Sequence, residues 1–366
     1  MKRGNGIKSQ LFWKVFLPVI LAIPAALIIK IFFLTSYHVP TASMASTIIP
    51  GDHILVEKYL LGTRFFIKNK VYRTPGIRSV KSGDLIVFNV PKEDTITPDV
   101  RYYTSHSGSD SDAGENFHDH ESQNDKQFAP IPFRTPFVKR AIGLPGDTVR
   151  QKHHEVWINH HRVKHFAEIH QEVIIRFDQF QTFEQWKNKL YHEGERVQMN
   201  RGQLTIAGIF KEKDLAGIDT TDATLRYLTH FPPADQIPDK ESWAKKLIEG
   251  QNELIIPYKG WTVTITPEFL QTYGSLIRRF ENHTGQIDSL TITDASGKKI
   301  NQYTFRQNYY WCLGDNRPFS IDSRHWGLVP EDHIIGLSRR TMWSRNISSE
   351  NKKSKVRWDR LYRTLK

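Results

Sequence analysis

The segment FVKRAIGLPGD, residues 137–147, sets two cations inside an apolar run and closes it with Pro-Gly-Asp. A strand here alternates its side chains between two faces. Lys139 then shares a face with Phe137 and Ala141, while Arg140 turns the other way with Val138 and Ile142. A lysine among apolar neighbours is a candidate for burial, and desolvation lowers an ammonium pKa from about 10.4 toward neutrality. A neutral amine is a general base. Spacing alone leaves a plainer alternative open, a lysine at a strand edge with its head in water.

Working outward, the same texture recurs in GDHILVEKYL, SGDLIVFNVP and HIIGLSRRTMWS. Strand-length apolar runs between turn residues predict a mostly β fold. Gly-Asp stands at 51–52, 83–84, 146–147 and 314–315, each a turn signal. The predicted organisation is a basic segment over 1–14, an apolar span over 15–36, and a β domain over 37–151 with a polar loop at about 92–135. An α+β subdomain is inserted over 152–305, the β domain resumes over 306–345, and a basic tail covers 346–366.

The span VFLPVILAIPAALIIKIFFL is apolar except for Lys30 and has the length of a bilayer-crossing helix. Basic residues precede it and the first acidic one is Asp52, which predicts a cytoplasmic N-terminus and an exported remainder. A cleavable signal peptide is the alternative reading of the same run. The net charge is +12, concentrated at both ends, which suits an anionic surface, and the span favours lipid over nucleic acid. One cysteine, Cys312, cannot close an intramolecular disulfide.

A general base needs a proton to take. YHVPTASMASTIIPGD, residues 37–52, offers Ser43 just beyond the span, with Thr41 placed to aim a hydroxyl at an oxyanion beside the Ser43 N–H. Taken by itself, this is also an ordinary Ser/Thr loop. GDNRPFSIDSRHWG, residues 314–327, adds Ser320 as a hydrogen-bond partner for the lysine and Asp322 as a candidate carboxylate for Arg140. The histidines at 118, 120, 153, 154, 160, 161, 165 and 170 have no clear metal-ligand spacing, and none is expected to hold a metal. His325 beside Trp326 is not expected to be catalytic.

Four ordered boxes resemble type I signal peptidases, membrane-anchored Ser/Lys proteases. They are Thr41–Ile48 followed by Gly51-Asp52, Gly83–Phe88, Lys139–Asp147, and Gly314–Arg317 with Ser320–Gly327. The stretches RQNYYWCLGDNR and VRWDRLYRTLK resemble enzymes of the Bacteroidetes type. The resemblance implies an antiparallel β catalytic domain, Ser43 as nucleophile, Lys139 as base, Ser320 as its orienting group, and Thr41 with Ser43 as the oxyanion site. It further implies ion pairs among Arg140, Asp322 and Arg324, and shallow pockets lined by Val39, Met44, Ile48, Phe137 and Val138. The implied substrates are secretory preproteins with small residues before the cut, processed without a cofactor at the outer face of the inner membrane. Two departures, Ser46 for the usual proline and Pro318-Phe319 for a polar pair, motivate the alternative of an inactive, membrane-anchored scaffold.

Overall fold

The computed structural model describes residues 5–67, 70–91, 130–152, 155–163, 169–215, 217–228, 253–346 and 355–365. Most of the polar loop expected at 92–135, with His118 and His120, lies outside them, as do His153, His154 and His165. Helix α1, Asn5–Ile28, contains Pro18 and Pro24 and runs into a π-helical turn, Ile29–Phe33. Val19, Leu21, Ile23, Leu27 and Ile31 along this stretch are exposed. Among the described residues no helix is long and apolar enough to cross a membrane. The turn is tied to the body of the protein: the Lys58 amine donates to the Lys30 carbonyl at 2.9 Å, and the Thr63 hydroxyl donates to that of Phe32.

The chain then forms β1 (Leu34–His38), β2 (Asp52–Glu57), a small hairpin of β3 (Arg64–Ile67) with β4 (Lys70–Arg73), β5 (Leu85–Asn89) and β6 (Pro136–Gly143). The insertion contributes β7 (Thr148–Lys152), β8 (Glu155–Ile158), β9 (His161–Arg162) and β10 (His170–Phe177). Next come α2 (Phe180–Glu193), β11 (Glu195–Asn200), β12 (Thr205–Lys211), β13 (Ala223–Tyr227), β14 (Leu254–Ile255), β15 (Thr262–Thr264) and α3 (Pro267–Phe280). After β16 (Ile292–Thr293), β17 (Lys299–Ile300) and β18 (Gln302–Thr304), the chain closes with β19 (Tyr309–Leu313), β20 (Val329–Pro330) and β21 (Ile334–Ser344).

Seven strands make the main sheet in the order β1-β2-β21-β5-β6-β19-β20, every pair antiparallel. Its middle strands are covered on both faces. Along β5, Leu85 and Val87 join one apolar layer with Val39, Met44, Ile48, Ile54 and Ile335, while Ile86 and Phe88 join another with Ala141, Tyr310 and Cys312. Strand β19 divides likewise: Tyr309, Trp311 and Leu313 pack with α3 residues, Tyr310 and Cys312 with the β5 side. Such strands read as continuous apolar runs, as LIVF and YYWCL do. The second half of β6, from Lys139 to Gly143, lies between them and is buried.

The inserted residues serve two cores. Strands β10–β13 and α2 enclose their own, with Val173, Ile175, Phe183, Leu190 and Phe210. Residues 254–305 share theirs with β6 and β19 through Ile256, Phe269, Ile277 and Phe305. The C-terminal segment is part of the fold and not a loose tail: Thr341 N–H donates to the Arg363 carbonyl at 3.0 Å and Leu365 N–H to that of Arg339 at 2.8 Å.

Candidate active site

The alternation expected of residues 137–142 holds. Lys139 lies opposite Ile86 and Arg140 opposite Leu85, so the two cations leave β6 on opposite faces. Lys139 is 1% exposed and its Nζ stands 5.5 Å from the Phe137 ring centre. Loop 39–51, between β1 and β2, brings Ser43 onto it: the Lys139 Nζ to Ser43 Oγ distance is 2.6 Å, with both groups buried. Desolvation brings the Lys139 amine down to about 8; the Asp322 carboxylate works against that shift and Arg324 with it.

Arg140 does not meet Asp322. Its Nε and Nη2 hold Asp315 at 2.8 and 2.7 Å, its Nη1 donates to the Gly83 carbonyl at 2.8 Å, and its Nη2 reaches Thr47 Oγ1 at 3.1 Å. Thr47 in turn donates to Asp315 at 2.6 Å. Asp322 instead takes Arg324, at 2.8 Å from Nε and 2.9 Å from Nη2, and accepts the Gly314 N–H at 2.9 Å. Burial works to raise the Asp322 carboxyl, but the charge and hydrogen bonds of Arg324, with those of His325, outweigh it and hold the group well below the usual carboxylate range. His325 caps the short helix Ser323–Trp326 from its third position, its Nδ1 accepting the Asp322 N–H at 3.2 Å.

The loop 314–320 lies against the loop carrying Ser43. Asn316 donates its N–H to the Ser43 carbonyl and its Nδ2 to that of Ala42, both at 3.1 Å. Gly314 has to be glycine: a Cβ there would stand 2.1 Å from Ser320 Oγ and 2.6 Å from the Ser43 carbonyl oxygen. Ser320 is thus buried beside the Ser43 backbone, yet its hydroxyl makes no hydrogen bond and so does not orient the Lys139 amine here; Arg324 holds its carbonyl at 3.1 Å. Thr41 lies half-buried two residues before Ser43. Of the expected pocket residues, Phe137 and Val138 are partly exposed, while Val39, Met44 and Ile48 are buried and form the layer behind the surface.

Ser46 has φ 91°, and its buried hydroxyl has no partner. Proline, fixed near −65°, does not fit this backbone. Ser46→Gly should stabilise the protein by about 1 kcal/mol, since only glycine adopts such angles freely. The check is a higher denaturant midpoint with an unchanged slope.

Sequence reading gave no role to Thr47, Asp315, Asn316 or Arg360. The available signal was the fourth Gly-Asp pair. In the other three, Asp52, Asp84 and Asp147 close their own turns by accepting the N–H three residues earlier, at 3.0, 2.8 and 2.8 Å. Asp315 gives its carboxylate to Arg140 and Thr47. Among the described residues no three His, Cys, Asp or Glu side chains gather as a metal site.

A serine hydroxyl thus stands on a buried amine, with two buried ion pairs beside it on an antiparallel sheet; Ser–Lys pairs are one variant of the hydrolase triad. A family model described as signal peptidase, peptidase S26 matches residues 12–191 and 192–343, and the chain belongs to that family. It is 23% identical over 339 residues to signal peptidase I of Buchnera aphidicola subsp. Acyrthosiphon pisum, covering 92% of this chain and 75% of that one. Against signal peptidase I of Haemophilus influenzae it is 21% identical over 342 residues, covering 93% and 72%.

Proposed function

We propose that this chain is a signal peptidase that cuts secretory preproteins through Ser43 and Lys139. The observation carrying this reading is the 2.6 Å contact between a buried serine hydroxyl and a buried amine whose pKa falls to about 8. At pH 7 such an amine is neutral in roughly one molecule in ten, against fewer than one in a thousand for an ordinary lysine. Ser43 Oγ attacks the carbonyl before the cut as Lys139 takes its proton. The Ser43 N–H and the Thr41 hydroxyl receive the oxyanion. Lys139 returns the proton to the departing amine, then deprotonates the water that opens the ester. Ser320, whose hydroxyl is unbonded, takes over the amine when Ser43 engages substrate. Arg140 and Arg324 act through their carboxylates to hold the two loops.

The substrate lies extended beside the site, its small residues against Phe137 and Val138, with Val39, Met44 and Ile48 as the floor. We place the anchor in the apolar run of residues 15–36, in the bacterial inner membrane, with the N-terminus in the cytoplasm. The exposed apolar side chains from Val19 to Phe33 and the ties of Lys58 and Thr63 to the helix end support this. A nucleophile held there meets a membrane-bound precursor at high effective concentration.

The test is cleavage of a precursor panel by the detergent-solubilised chain, with N-terminal sequencing of the products. Cuts after small residues are expected. Only the neutral amine is a base, so kcat/KM rises with pH and levels off above a midpoint of about 8. A profile flat down to pH 5 rules out the amine.

A further inference from the structure

The segment 355–365 has two sides. Trp358, Leu361 and Tyr362 are exposed, whereas Arg360 and Leu365 are buried. Arg360 binds both carboxylate oxygens of Asp52, with Nε at 2.8 Å from Oδ1, and its Nη2 donates to the Thr47 carbonyl at 3.0 Å. Leu365 packs into the apolar layer that contains Met44 and Ile48. Arg357 donates to the Pro50 carbonyl at 2.9 Å. The loop bearing Ser43 is thus gripped from two directions. Asp315 and Arg140 hold the Thr47 side chain, and Arg360 holds its carbonyl. Between Ser43 and Thr47 stands Ser46, in a backbone conformation that persists only where its surroundings impose it.

We propose that the C-terminal segment is a positioning strap for the nucleophile, with Arg360 its key residue. Arg360 touches neither Ser43 nor Lys139; it fixes the turn four residues after Ser43 and so sets where the hydroxyl stands against the amine. This rests on the reading of Ser43 as nucleophile. A displacement of about 1 Å at a reacting group lowers rate on the order of a hundredfold. A lysine at 360 would keep the charge but lose the planar fork that spans Asp52 and the Thr47 carbonyl.

The experiment uses the full chain in detergent, cleaving one precursor at pH 9. Arg360→Gln should lower kcat per folded molecule by about 10–100-fold with KM within about twofold; the folded fraction is read by circular dichroism on the same sample, because partial unfolding lowers apparent kcat only in proportion to the protein lost. Arg360→Lys and Leu365→Ala should each lower kcat by a smaller factor, about 3–10-fold, and they decide the matter if Arg360→Gln does not fold. Trp358→Ala, on the outward side, should match the parent. Wild-type kcat in both Arg360→Lys and Leu365→Ala, or a loss confined to KM, overturns the strap. Failure of the parent chain to cleave any precursor instead overturns the catalytic reading.

Discussion

Replacing Lys139 with methionine lowers kcat by about ten-thousand-fold while leaving the protein folded. The two effects separate because the amine is desolvated for chemistry and not for stability. Lys139 stands on the interior strand β6, near Phe137 and Cys312, where an apolar side chain of similar length packs at least as well. The thermal midpoint of Lys139→Met should therefore equal or exceed that of the parent. Ser43→Ala should lose activity to a similar extent. The double variant should be no worse than either single one, since nucleophile and base act as a unit. The measurement is single-turnover cleavage beside a melting curve. Either single variant retaining activity within tenfold of the parent rules out the pair.

Local pattern offers Ser43 and Lys139 as candidates but leaves a plainer reading of each open; the resemblance of the four boxes is what singles out the pair. Alternation along FVKRAI puts Lys139 on an apolar face, and the run LIVF marks one of the strands beside it. The partners of the arginines were not legible. Asp315 is 175 residues from Arg140, and Arg360 is 308 from Asp52. Nothing in spacing distinguishes Asp315 from Asp322 as the carboxylate for Arg140; sheet register decides it. Strand β19 pairs Leu313 with Arg140, which brings the next turn under that guanidinium. Met44 and Ile48 are pocket walls only as the resemblance implies them. The turn through Ser46 directs both into the layer shared with Leu365. Charge in the basic C-terminus suits a lipid surface or a solvated tail and points to no partner within the fold, whereas Arg357 and Arg360 bind Pro50, Thr47 and Asp52.

Asp315→Ala should destabilise the protein by about 3–5 kcal/mol, a fall in Tm of roughly 5–15 °C. The magnitude follows from what remains behind. Arg140 and Asp315 are 3% and 2% exposed, so removing the carboxylate leaves a buried guanidinium without its counter-charge, although the Gly83 carbonyl and Thr47 Oγ1 still accept from it. Thr47 also loses its acceptor, which loosens the Ser43 loop, and activity falls beyond the loss of folded protein. A second variant separates the two contributions. Arg140→Met with Asp315→Leu removes both charges and fills similar volume, so stability should return toward that of the parent. Activity should not return, because Thr47 Oγ1 has neither the carboxylate nor the guanidinium to fix it. Full recovery of kcat in the apolar pair would mean that packing alone places Ser43, and that the buried ion pair has no part in aligning it with Lys139.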